Sequence, residues 1–158
     1  MASLKKLTSC LWFDGQAEDA ARFYVSVFKN AKLGRTSHYP NNAQALVIEF
    51  EIEGQQFLAL NGGPQFKLNE AVSFIVNCDT QAEIDYYWEK LTADGGEPGP
   101  CGWLKDKFGL SWQVAPSKVG DWITDPDSAK SARVFYAYNT MGKIDIAALE
   151  KAFAGGES

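Results

Sequence analysis

Few residues in this chain could carry metal or nucleophilic chemistry. It holds one histidine, His38, and three widely spaced cysteines, Cys10, Cys78 and Cys101. A zinc or iron site built on imidazoles needs two or three of them, so histidine-rich sites are excluded. No CxxC pair occurs, which excludes zinc knuckles and dithiol redox motifs and indicates a reduced, cytoplasmic compartment. His38 is expected at the surface rather than as a base or a metal ligand.

The charge and hydrophobicity of the chain limit the classes of protein to which it can belong. The 158 residues carry a net charge of −5, so no basic surface is expected for phosphates, and we predict no nucleic-acid partner. The longest apolar run, 71–76, is too short to span a membrane. The apolar run at 10–13 ends at Asp14, so no signal peptide is expected. With 46% hydrophobic residues the chain can bury a core.

Hydrophobic periodicity predicts two similar series of elements, which would position any site. The first series is a strand, a helix and three strands, over 7–13, 16–28, 34–39, 45–53 and 56–61. The second is a buried strand, a helix capped by Thr80 and Glu83, and a hairpin, over 71–77, 81–94 and 101–115. The triplet Gln-Ala-Glu at 16–18 recurs 65 residues later (81 − 16). The order of elements therefore predicts two copies of a βαβββ module.

The C-terminal part of the chain has a different pattern. Asp125-Pro126-Asp127 is typical of a helix start, and a second amphipathic helix is predicted over 144–153. The predicted apolar stripe of the first helix consists of Ala129, Ala132, Phe135, Tyr136 and Met141. We expect these helices to cover a sheet edge or a subunit contact. The predicted organisation is one domain over 1–124, with modules at about 5–62 and 70–118, and a helical tail over 125–158.

Five segments resemble a known family: 11–28, 57–64, 74–91, 101–116 and 143–153. They are similar to PhnB-like proteins, which carry the label 3-demethylubiquinone methyltransferase and belong to the vicinal oxygen chelate superfamily. That superfamily includes glyoxalase I, extradiol dioxygenases and the bleomycin and fosfomycin resistance proteins. The resemblance implies an α+β fold of the glyoxalase/bleomycin resistance/dihydroxybiphenyl dioxygenase type. In that fold, paired βαβββ modules curl around a ligand cavity, and the resemblance also implies a homodimer.

The resemblance also implies where a metal would be held, because superfamily enzymes bind a divalent ion through His and Glu on facing strands. Transfer by strand order gives Thr8 or Ser9, Ser73 and Gln113, the last where an active enzyme usually has Glu. Hydroxyl and amide ligands bind catalytic zinc, iron or manganese poorly, since they supply neither charge nor imidazole donation. We therefore predict a protein without a metal or cofactor.

Seven side chains are candidates for the cavity wall: Ser9, Trp12, Asn61, Ser73, Cys101, Trp103 and Gln113. Gln113 shares its strand face with Ser111, and its amide could bond either a ligand or neighbouring backbone. Asn61 could line the cavity or form the turn at its strand end. The tryptophans, Trp112 among them, could wall a pocket or serve as core. Cys101 has no local histidine to activate it, so a packed, inert thiol is favoured.

The leading hypothesis is a metal-free protein that binds a small organic ligand in this cavity. The alternative is a superfamily enzyme of the lyase, isomerase or transferase type acting on a small molecule. A methyltransferase is the weaker third hypothesis, because no GxGxG turn joins a strand to a helix.

Overall fold

The computed structural model describes residues 5–155. The start of the predicted domain, 1–4, and the end of the predicted tail, 156–158, lie outside the described residues. The chain divides into two units, Met1–Leu68 and Asn69–Ser158. Each contains a four-stranded sheet and at least one helix, which confirms the predicted α+β class. Within residues 5–155, no helix is long and apolar enough to cross a membrane.

Unit 1 contains one βαβββ module. Its elements are β1 (Ser9–Phe13), α1 (Ala17–Val27), β2 (Ala31–His38), β3 (Ala45–Ile52) and β4 (Gln55–Asn61). The strand order is β1-β4-β3-β2, and β1 runs parallel to β4 while the other pairs are antiparallel. The predicted hairpin between β3 and β4 turns at Glu53 and Gly54, whose φ values of 49° and 76° fit a tight two-residue turn.

The core of unit 1 lies between α1 and one face of its sheet. On α1 the buried residues recur at helical spacing: Ala17, Ala20, Ala21, Tyr24 and Val27. The sheet contributes every second residue, including Leu11, Phe13 and Phe57. The rings of Phe50 and Phe57 stack with centroids 5.1 Å apart. The opposite face of the sheet, which we call the open face, carries the half-buried and exposed residues.

Unit 2 repeats this topology and adds the tail. Its module contains β5 (Ser73–Cys78), α2 (Gln81–Thr92), a 3-10 turn (Ala93–Gly95), β6 (Glu97–Pro98), β7 (Trp103–Lys105) and β8 (Ser111–Pro116). The strand order is β5-β8-β7-β6, again with a parallel first pair. The tail forms α3 (Val119–Ile123), α4 (Ser128–Asn139) and α5 (Ile146–Ala154). The predicted capping box is confirmed, since Thr80 Oγ1 accepts from the backbone N–H of Glu83 and the Glu83 carboxylate returns to Thr80.

The repeat is confirmed by topology, with one difference in spacing. The buried pair Leu11 and Phe13 of β1 corresponds to Val76 and Cys78 of β5, 65 residues later (78 − 13). The helices begin only 64 residues apart (81 − 17), because the turn between strand and helix is one residue shorter in unit 2. The repeated Gln-Ala-Glu triplet is therefore shifted by one position relative to the two helices.

Unit 2 differs from the expectations in several features. β5 was expected to be buried, but it is an edge strand with one open face, and Ile75 is 55% exposed. Strand β6 and helix α3 lie in segments for which no element was predicted. On α4 the stripe faces outward: Phe135 and Tyr136 are exposed, whereas Val134 is fully buried. Met141 lies beyond the end of α4 at Asn139.

The segment between α4 and α5 is fixed to the start of α2 and to the loop before β7. Gln81 Oε1 accepts from the backbone N–H of Ile146 at 2.9 Å, and its Nε2 donates to the carbonyl of Ile144 at 3.0 Å. The backbone N–H of Gly102 donates to the carbonyl of Gly142 at 2.8 Å. Gly102 has a φ of 78°, and a Cβ there would lie 2.6 Å from the carbonyl oxygen of Val114. The tail thus packs onto the βαβββ module of unit 2, at a position that requires glycine.

Candidate functional site

Strand alternation decides which residue of the first strand region lies on the open face. Ser9 is in phase with the buried Leu11 and Phe13, so it lies on the side of α1. Thr8 has the opposite phase and lines a cavity of about 110 Å³ with Gln56. The assignment of Ser9 is therefore corrected to its alternative, Thr8.

In unit 2 the open face is the side of the sheet opposite the buried residues Val76, Leu104 and Val114. On this face, four polar side chains form one row across all four strands. Ser73 lies opposite Ser111, Ser111 opposite Lys105, and Lys105 opposite Glu97. Residues directly opposite in a sheet project from the same face and lie close together. We call this set the polar row: Ser73, Ser111, Lys105 and Glu97.

Beside the polar row, the next row contains Ile75, Gln113 and Trp103 in direct register. Gln113 Nε2 donates to Ser73 Oγ at 2.9 Å, which brings two of the predicted residues together. The pair links β5 to β8 through side chains as well as through the backbone ladder.

Ser111 is the anomalous member of the polar row. Its exposed fraction is 0%, and its hydroxyl has no hydrogen-bond partner among residues 5–155. A buried hydroxyl without a partner costs about 1–3 kcal/mol, because it has lost water and gained nothing in exchange. Such a group in a folded protein calls for an explanation, and a ligand is one.

A cavity of about 420 Å³ lies over this part of the sheet. Its wall combines apolar and charged side chains, among them Pro98, Pro100, Trp103, Lys105 and Ser111. Glu70, from the segment before β5, also lines it and forms an ion pair with Lys105. The hydrogen bond between these two side chains raises the pKa of Lys105 and lowers the pKa of Glu70, so both stay charged.

Two predicted residues of unit 1, Asn61 and Trp12, bond to backbone groups of the same unit that are distant in the sequence. Asn61 is buried; its Oδ1 accepts from the backbone N–H of Ala17 at 2.9 Å and its Nδ2 donates to the carbonyl of Ala45 at 2.9 Å. It thus supplies the capping contact that Gln16 does not make. Trp12 lies on the open face, and its indole N–H donates to the carbonyl of Gly63 at 2.8 Å.

The cysteines differ in environment. Cys101 is half-buried, has a φ of 57°, and donates from its thiol to Asn139 Oδ1 at 3.5 Å. Burial, with the nearby Glu83 and Asp79, raises the pKa of the Cys78 thiol to about 12. His38 is exposed, as expected.

Asp106 was not singled out in the sequence, yet it organises the turn between β7 and β8. Its carboxylate accepts from the backbone N–H groups of Phe108 and Leu110 and from the indole N–H of Trp112. The Asp-Lys-Phe-Gly sequence of that turn is the pattern from which this role of Asp106 could have been predicted. Trp112 is accordingly a buried core residue.

The donor set does not fit a catalytic metal ion. Thr8, Ser73 and Gln113, at the positions implied by the resemblance, offer only hydroxyl and amide groups. In the part of the chain that the structure describes, no three His, Cys, Asp or Glu side chains gather in an arrangement that could hold a metal.

Comparisons with known proteins agree with this architecture. A family model described as 3-demethylubiquinone-9 3-methyltransferase matches residues 5–115, ending before α3. A putative 3-demethylubiquinone-9 3-methyltransferase, PhnB protein, from Bacillus cereus is 32% identical, with a TM-score of 0.63, covering 71% of this chain and 99% of that one. A comparison with curated proteins gave no match.

Two fosfomycin resistance proteins share the fold. FosX from Mesorhizobium loti is 16% identical, with a TM-score of 0.53, covering 72% of this chain and 90% of that one. A mutant of FosX from Listeria monocytogenes, complexed with Mn(II) and 1S,2S-dihydroxypropylphosphonic acid, is 19% identical, with a TM-score of 0.50, covering 73% of this chain and 93% of that one.

Proposed function

The chain belongs to the PhnB-like family described as 3-demethylubiquinone-9 3-methyltransferase, within the vicinal oxygen chelate superfamily, and from this we propose that it binds a small organic molecule without a metal. The proposed site is the 420 Å³ cavity on the open face of unit 2. Trp103 and the two prolines supply apolar wall, and three members of the polar row, Ser111, Lys105 and Glu97, supply polar groups. This combination is typical of small-molecule sites.

The bond between Gln113 and Ser73 is the observation that carries the proposal. These are two of the positions where the resemblance implies metal ligands, and here the two side chains bond to each other. A carboxylate and an imidazole at these positions would offset the free energy of dehydrating a divalent ion, whereas an amide and a hydroxyl would not.

Methyl transfer, which the family description names, has no support from the local geometry. The turns from strand to helix are Asp14-Gly15-Gln16 and Asp79-Thr80. Neither has the glycine repeat that admits a nucleotide cofactor at a helix start. The Cys101 thiol bonds to the amide of Asn139 rather than to a base, so nucleophilic catalysis is not favoured either.

We also propose a homodimer, as the resemblance implies. Exposed apolar side chains support it: Val72 and Ile75 by the edge strand β5, and Phe135 with Tyr136 on α4. Light scattering on a size-exclusion column should give about twice the chain mass of 17.4 kDa. A single chain mass at micromolar concentration would contradict the dimer.

Native mass spectrometry tests the binding proposal. The purified protein is expected to carry, or to take up from an organic extract, a small molecule that denaturation releases. The variant Trp103→Ala should lose most of this occupancy, while Trp122→Phe, at a buried position in α3, serves as the matched control. Equal occupancy in all three proteins would place the ligand elsewhere and contradict the proposed cavity.

A further inference from the structure

Resting on this proposed function, we infer that the cavity of unit 2 selects a monocarboxylic acid with an apolar body. Ser111 and Lys105 would hold the carboxylate. The body of the ligand would lie on the wall made by Pro98, Pro100 and Trp103.

The hydroxyl of Ser111 has no hydrogen-bond partner among residues 5–155. It is fully buried, shares its sheet face with the cavity wall, and stands in direct register with Lys105. A hydroxyl and an ammonium group side by side both donate hydrogen bonds. Two adjacent donors require an acceptor, and a carboxylate has two oxygens to offer them.

A carboxylate already lies beside one of these donors, Lys105. Glu70 pairs with Lys105 at the cavity, and its side chain is 59% exposed. An exposed ion pair contributes little to stability. A ligand carboxylate could replace that of Glu70, keep the ion pair and add the missing bond to Ser111. The exchange therefore costs little and relieves a buried, unsatisfied group.

The charges of the cavity wall favour a ligand with a single negative charge. Lys105 is the one cationic side chain among the residues that line the described cavity, and two carboxylates, Glu70 and Glu97, accompany it. A ligand with one carboxylate can take over the ion pair with Lys105 when it displaces Glu70. A second negative charge would find no further cation among the lining residues and would be repelled by Glu97, so the site disfavours a dianionic phosphonate.

The test is isothermal titration calorimetry of the full chain with four probes of one shape: phenylacetate, phenylacetamide, phenethylamine and benzylphosphonate. Phenylacetate is expected to bind at least tenfold more tightly than the other three. Ser111→Ala should weaken phenylacetate binding about fivefold, as for one lost hydrogen bond. Lys105→Met should remove the preference over the amide.

Glu70→Gln supplies the sharpest comparison, because it removes the competing carboxylate. It should strengthen phenylacetate binding and leave phenylacetamide unchanged, whereas the control Glu89→Gln, exposed on α2, should change neither. Equal affinities for acid and amide, or tighter binding of the amine or phosphonate, would overturn this inference and leave the cavity proposal standing. No binding of any probe, even to Glu70→Gln, would overturn both.

Discussion

Removing the Ser111 hydroxyl should stabilise the protein while weakening ligand binding. The Ser111 side chain has an exposed fraction of 0%, and its oxygen has no hydrogen-bond partner among residues 5–155. No hydrogen bond therefore offsets the free energy of removing this hydroxyl from water. Ser111→Ala keeps the Cβ and removes only the unsatisfied group, which costs about 1–3 kcal/mol where it is buried. The small void left behind offsets part of that gain, since lost contacts destabilise in proportion to cavity size.

The net expectation is a gain of about 1 kcal/mol in the free energy of unfolding. Urea denaturation followed by tryptophan fluorescence measures it as a higher midpoint with an unchanged slope. Ser73→Ala is the matched control on the neighbouring strand. It removes an oxygen that accepts a hydrogen bond from Gln113, and it should lose about 1 kcal/mol. A loss of about 1 kcal/mol or more in Ser111→Ala would show that this hydroxyl is bonded after all, and would refute the reasoning.

Three further predictions follow from buried contacts. Asn61→Ala removes the side-chain partners of the Ala17 N–H and the Ala45 carbonyl. The free energy of unfolding should fall by about 2–4 kcal/mol in the same urea assay. A fall of less than about 1 kcal/mol would contradict the capping role of Asn61. Gly102→Ala should lower the melting temperature and speed proteolysis of the tail, because its Cβ would meet the Val114 carbonyl; unchanged tail cleavage would contradict this. Folding raises the pKa of Cys78 from 9.0 to about 12, so its protonated thiol favours the folded state below pH 9 and this stability is lost as pH rises toward 12. Cys78→Val should flatten that decline in thermal melts; an unchanged profile would assign it to other groups.

The module order and the main elements could be predicted because local patterns determine them. The Thr80 and Glu83 capping box and the α1 stripe are examples, since both depend on spacing along one helix. The choice between Thr8 and Ser9 depended on where strand alternation begins. A shift of one residue reverses every side chain of a strand, so the sequence alone left it open.

The polar row could not be predicted because register creates it. Ser73, Ser111, Lys105 and Glu97 come from four strands, and their alignment depends on the loops between those strands. The apolar stripe predicted for α4 was wrong because tertiary packing, and not the local pattern, determines which face of that helix is buried. Aromatic residues on two sides of the helix give competing apolar faces, and α4, which contacts α3 and α5, buries the face that carries Val134.

A titration with Mn²⁺ tests the central claim, that this superfamily scaffold works without its chelated metal, most directly. Calorimetry on the dialysed wild-type chain is expected to show no binding tighter than millimolar, because Ser73 and Gln113 offer a hydroxyl and an amide bonded to each other. The double variant Ser73→His/Gln113→Glu, which restores an imidazole and a carboxylate on the same face, should bind at least tenfold more tightly. Stoichiometric micromolar binding of Mn²⁺ by the wild-type protein would contradict the account.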